Sequence, residues 1–150
     1  MIQPSWWPFG PTNRAKPFLP CTATKPLSLT VLDAAKLMTE AFIGSVVVTN
    51  SSGIRGLFTE RELAMNVVGK GKAPERVQIK DVMTSDPIKV SPNATASLCL
   101  DLLMKEHRCR HLLVFEGDEF VGIVSLRDMV VLMIDEKEAL IQHLERYIAS

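Results

Sequence analysis

The chain has little to staple it, steer it or anchor it. Its three cysteines, Cys21, Cys99 and Cys109, are odd in number and form no CxxC pair. That excludes a disulfide framework and fits free thiols in a reducing, cytoplasmic setting. No apolar run approaches ~18 residues, and the proline-rich start lacks an apolar h-region, so neither a membrane span nor a secretion signal is expected. Seventeen basic and seventeen acidic side chains cancel, which removes the long-range field that nucleic acid or an anionic bilayer requires. Any anion site must be local. Acids are also missing before Asp33, where Arg14, Lys16 and Lys25 stand alone. This echoes a transit peptide, but the stretch is not amphipathic, and a loose arm over residues 1–20 is the preferred reading. Trp6, Trp7 and Phe9 could pack on the domain or on a partner.

Parts for an enzyme are lacking too. There is no G-x-S-x-G, no P-loop and no Ser/His/Asp arrangement in recognisable context, and the carboxylates lie on polar faces. No catalytic residue is assigned and no cofactor is required.

What is present is a repeat. The 150 residues, 47% hydrophobic, suffice to bury one compact module. "GLFTERELAM" from Gly56 and "GIVSLRDMVV" from Gly122 match without a gap at a spacing of 66 residues. The same spacing pairs Pro26 with Pro92, Leu37-Met38 with Leu103-Met104, Val48 with Val114 and Arg61 with Arg127. A repeat of this length signals a supersecondary unit used twice.

Each copy reads alike. Val31, Ala34, Ala35, Met38 and Ala41 recur at helical spacing in the first. In the second, Leu98, Cys99, Leu100, Leu102, Leu103 and Met104 surround the helix, which predicts deeper burial. "SVVVT" and "HLLVF" are strand formers, and the short turns "NSSG" and "EGDE" make each strand an antiparallel neighbour of the next. "DPIKVSP" adds a strand before the second helix, joined to the following one by a right-handed crossover; Cys21–Thr24 could be its equivalent. The expected fold is α+β, two tandem β-α-β-β-α repeats packed as a pseudo-twofold pair. The first repeat covers 21–75, the second 76–134, and a C-terminal helix 135–150. "GKGKAPERVQIK" reads as the exposed linker.

The strand-to-helix corners carry the chemistry. Thr59 with Glu62, and Ser125 with Asp128, are capping-box patterns, and capping alone would justify both. The same geometry could hold a phosphate beside the hydroxyl at a helix N-terminus, with the acid accepting from a ribose diol. Gly56 and Gly122, without Cβ atoms, would let a ligand approach. Aspartate has the shorter arm and closes a box less well, so the second corner leans to ligand and the first to cap.

The repeat, "DVMTSDPIKVSP", "RHLLVF" and the G-h-x-[S/T]-x-x-D corner together resemble a tandem pair of cystathionine-β-synthase (CBS) domains, a Bateman module, over about residues 21–134. The resemblance implies an adenosine-containing ligand, AMP, ADP or ATP ahead of S-adenosylmethionine, held between the repeats. It implies Ser125 for phosphate, Asp128 for ribose, and Ile88, Lys89, His111 and Leu112 as walls. Thr59 matches at the first corner, but Glu62 departs from the family aspartate, so one competent site is expected. Paired-sheet modules of this family commonly dimerise. A homodimer that relays occupancy to an unidentified regulated protein is the expected function; a scaffold with both corners acting only as caps is the alternative. Neither membrane nor nucleic acid is an expected partner, although Lys70, Lys72, Arg76 and Lys80 of the linker keep a third, nucleic-acid reading in view.

Further candidates are local. Arg108, Arg110 or Arg127 could grip a phosphate bidentately, or simply suit a helix end. His107, Cys109 and His111 suggest a metal only if one helix carried both rings; the pattern runs from helix into strand, and no metal is assigned. Cys99 reads as core, and Asp101 four residues before Lys105 as a surface ion pair. Leu140, Leu144 and Tyr147 form a stripe that either docks on its own domain or builds a dimer interface.

Overall fold

The computed structural model describes residues 29–105 and 110–149. The N-terminal arm, the strand expected over Cys21–Thr24, and His107, Arg108 and Cys109 lie outside the described residues. The chain divides between Pro87 and Ile88 into two compact units.

In the first unit, Thr30 caps α1 (Val31–Ala41) by accepting from the Asp33 N–H at 3.1 Å. Val31, Ala34 and Met38 recur on one face and are buried. Phe42 ends the helix in the left-handed region, φ 54°, with its ring exposed. An antiparallel hairpin comes next, β1 (Ser45–Asn50) with β2 (Gly53–Thr59), and places Ser45 opposite Thr59 and Val48 opposite Gly56. After Thr59 comes α2 (Glu60–Glu62), a single turn continued by a π-helical turn over Leu63–Val67 and a 3-10 turn over Val68–Lys70. Gly71, at φ 64°, closes it in a conformation that side chains with a Cβ resist.

The stretch after Gly71, expected as an exposed linker over 69–80, is in part folded onto the segment before it. Its second half belongs to the first unit. Val31 N–H donates to Val77 O at 2.9 Å, and Ile79 N–H to Leu29 O at 2.9 Å. Ile79 and Val82 are buried in the same cluster as Val31, Val46, Phe58 and Val67. Two apolar residues three apart give this segment a face to bury. Lys70, Lys72, Arg76 and Lys80 remain exposed.

The second unit has β3 (Lys89–Val90) parallel to β4 (His111–Glu116), with β5 (Glu119–Ser125) antiparallel on the far side of β4. α3 (Ala96–Lys105) makes the crossover. Its core gathers Val90, Cys99, Leu103, Leu112, Val114, Val124 and Met129. Both hairpins begin and end at the 66-residue spacing, and their ladders slip at corresponding points, Val48/Thr49 and Val114/Phe115. The duplication is therefore structural down to single residues.

Two expectations are corrected here. α3 is not deeply buried: only Cys99 and Leu103 are, while Leu98 and Met104 are 50% and 61% exposed. A helix rich in leucine on several sides still offers one stripe to a three-stranded sheet. Residues 135–148 are not a separate helix either, because α4 runs unbroken from Leu126 to Ile148. No proline or glycine interrupts that stretch, so nothing stops the helix at residue 134. Asp101 and Lys105 form the expected exposed pair, at 3.6 Å.

Candidate functional site

Both corners fold as capping boxes, but their surroundings differ. At the first, Glu62 Oε2 accepts from the Thr59 N–H at 3.0 Å and from the Thr59 hydroxyl. Glu62 Oε1 accepts from Thr84 Oγ1 at 3.3 Å. Thr59 and Glu62 are both buried. The cover is the chain itself: Leu57 N–H donates to Thr84 O at 2.9 Å, and Thr84 N–H to Leu57 O at 2.8 Å, so Thr84 pairs with the outer edge of β2. Asn66 Nδ2 holds the neighbouring Val82 carbonyl at 3.1 Å. A Cβ on Gly56 would stand 2.6 Å from both the Met83 sulfur and the Thr84 oxygen. The space that Gly56 leaves is thus filled by Met83 and Thr84, not kept for a ligand. Thr59 and Glu62, both expected as ligand residues, are here engaged with each other and with Thr84. Met83 and Thr84 have no signal in the repeat, because "IKDVMT" has no counterpart one repeat earlier; the available signal is the apolar pair Ile79 and Val82 at the end of a polar stretch.

At the second corner, Ser125 and Asp128 remain at or near the surface. Asp128 Oδ2 accepts from the Ser125 N–H at 2.8 Å and from Ser125 Oγ at 2.6 Å, while Ser125 Oγ accepts from the Asp128 N–H at 3.2 Å. The shorter arm of aspartate therefore closes the box fully, against the expectation that it would do so poorly. Both box contacts to the carboxylate use one oxygen. No described heavy atom lies within 4 Å of a Cβ built on Gly122.

Register gathers most of the other candidates around Ser125. His111 lies opposite Ser125 and Leu112 opposite Val124. Leu113 N–H donates to Ile88 O at 2.9 Å, and Leu126 N–H to Arg110 O at 3.0 Å, which places Ile88 and Arg110 beside the same strand ends. Ile88 and His111 are half-buried; Arg110 and Arg127 are exposed. Two residues do not serve as expected. The Leu112 side chain is fully buried in the core and cannot form an accessible wall. The Lys89 ammonium lies 5.1 Å from the centre of the Phe115 ring, farther along β4 from the corner, where the ring face attracts a cation. Burial pushes the Cys99 thiol up from its ordinary value, in keeping with a core role. Among the described residues no group of His, Cys, Asp and Glu could hold a metal, and no helix is long and apolar enough to cross a membrane.

A family model described as "CBS domain" matches residues 22–69 and 79–135. CBS domain-containing protein CBSX3, mitochondrial, from Arabidopsis thaliana is 30% identical over 79% of this chain, which spans 60% of that protein. CBS domain-containing protein YhcV from Bacillus subtilis is 26% identical over 78% of this chain and 82% of its own length. Of solved structures, a protein with CBS domains from Burkholderia ambifaria aligns with a TM-score of 0.71 at 32% identity, covering 76% of this chain and 83% of that one. A CBS-domain containing protein from Agrobacterium tumefaciens aligns with a TM-score of 0.65 at 33% identity, covering 73% and 86%. With two matched segments, one in each half of an unbroken 66-residue repeat, the chain belongs to the CBS domain family and carries its domains as a tandem pair.

Proposed function

We propose that this chain is a regulatory module that binds an adenine nucleotide or related adenosine derivative at the Ser125/Asp128 corner and relays occupancy to a partner protein. CBS-domain modules of this kind are regulatory rather than catalytic. The carrying observation is the contrast between the corners: Glu62 is buried and hydrogen-bonded to the chain's own Thr84, whereas Asp128 is exposed, and no described heavy atom stands within 4 Å of a Cβ on Gly122. A ligand there would meet the first N–H groups of a 23-residue helix. Ser125 would face phosphate, and Arg110 and Arg127 would add charge-assisted bonds to it. The second carboxylate oxygen of Asp128 would accept from the ribose, with Ile88 and His111 flanking the base. A polyphosphate tail suits two arginines better than an uncharged one does. The module acts as a homodimer in the cytoplasm, with no cofactor of its own.

One observation favours the scaffold reading: Ser125 and Asp128 already satisfy each other. Melting scans with AMP, ADP, ATP, S-adenosylmethionine and NAD separate the two. A ligand that binds only the folded form adds RT ln(1 + [L]/Kd), about 2.7 kcal/mol at a hundredfold excess. The sensing reading expects such a shift with an adenine nucleotide and its loss in Asp128→Ala, each protein judged against its own unliganded transition. If none of the five compounds moves the wild-type transition, the corners are caps and the module is a scaffold.

A further inference from the structure

Helix α4 buries apolar side chains only in its first two turns. Leu126 packs against the core of the second unit, Met129 is fully buried in it, and Met133 is half-buried. After Met133 no described residue of the helix is even partly buried, although its apolar pattern continues. Ile134, Leu140, Ile141 and Leu144 are each half or more exposed, and Tyr147 and Ile148 more so. At ~100° per residue, Leu140, Leu144 and Tyr147 extend the line of Leu126, Met129 and Met133, and Ile134, Ile141 and Ile148 run beside it. The stripe is broad enough for a core-facing helix of a bundle, yet its distal half faces solvent. It is continuous with the face that already packs in the proximal turns.

The occupant is constrained by charge. Lys137 falls in the middle of the stripe, and Glu145 flanks it two turns later. Two parallel copies in register would set Lys137 against Lys137 in an apolar seam, a repulsion that a partner helix avoids. Two antiparallel copies centred on Ile141 put Ile141 against itself and Ile134 against Ile148. They also bring Lys137 of each level with Glu145 of the other. One sequence thus supplies both the apolar seam and its own counter-charges, as a twofold, self-complementary contact requires.

We infer that the distal half of α4, residues 134–148, is the self-association surface of this chain and pairs antiparallel with the same segment of a second copy. The inference rests on the homodimer reading and specifies where and in what orientation the contact forms. Sedimentation equilibrium on the full chain over a concentration series tests it. Wild type should reach twice the chain mass, and Ile141→Asp should stay at the chain mass with an unchanged circular-dichroism spectrum, because Ile141 contributes nothing to the core of its own unit. Lys137→Glu should weaken association roughly tenfold, and Lys137→Glu with Glu145→Lys should restore it. A dimeric Ile141→Asp protein overturns the surface while leaving the homodimer reading intact. Failure of the double charge swap to restore association overturns the antiparallel pairing. A wild-type chain that stays at the chain mass overturns both, and nucleotide melting shifts measured on the monomeric variant remain a separate check of sensing.

Discussion

The two strand-to-helix corners begin from nearly one sequence and one register, yet they end in different states. Thr59 and Glu62 have become interior, with Thr84 bonded to Glu62 and Met83 set against Gly56; Ser125 is half-buried and Asp128 exposed. The difference does not arise in the corner residues. It arises about twenty residues later, where a broken helix ending at Gly71 lets the chain turn back along β2, whereas the second copy continues into 23 residues of helix. A capping box is the same local device in both; the chain beyond the box decides whether its acid can be offered to anything else.

Paired substitutions sharpen that contrast. The largest expected effect is at the glycines. Gly56→Ala would drive a methyl into Met83 and a backbone oxygen, and should cost about 1–3 kcal/mol in urea unfolding. Gly122 is buried too, but an added methyl there meets no described heavy atom within 4 Å, so Gly122→Ala should cost clearly less than Gly56→Ala; an equal loss would mean that the second corner is filled as well. Next come the acids. Glu62→Ala removes a buried box partner and leaves Thr84 without its carboxylate, and should cost about 1–2 kcal/mol. Asp128→Ala, at an exposed box, should cost about 0.5–1 kcal/mol, and equal losses would erase the distinction between the corners. The smallest effect concerns Cys99, whose folded thiol titrates above its ordinary value of 9.0. The unfolded chain then ionises first, so the stability contributed by the neutral thiol is complete below pH 9.0 and declines above it. Cys99→Ala should flatten that alkaline decline in pH-dependent melting.

Much of this was legible in the sequence because duplication supplies an internal control. The strand pattern of "SVVVT" gains weight because "HLLVF" stands 66 residues on, and the hairpins and corners emerge from such pairs, while the crossover is legible only in the second copy. What could not be read lacked a counterpart. The return of Val77–Thr84 onto the first unit has no partner in the described part of the second, and its polar opening, "GKGK", disguised the buried Ile79 and Val82. Side-chain direction was equally hidden. Leu112 and His111 are adjacent candidates on one strand, but alternation sends Leu112 into the core and leaves His111 at the corner. For Lys89, attraction to the Phe115 ring outweighed its place at the strand end. α3 lies shallower than its leucine content suggests, because only one stripe of it, Cys99 and Leu103, meets the core.

The slip in each hairpin ladder has an architectural meaning. Between Gly56 and Ile54, and again between Gly122 and Phe120, one residue, Arg55 or Val121, stands without an opposite number. Removing either would restore a regular ladder and straighten its ribbon, while Ile54 and Phe120 kept the neighbours they already face, Thr49 and Phe115. That odd residue therefore sets the bend between each corner and the tip of its own hairpin.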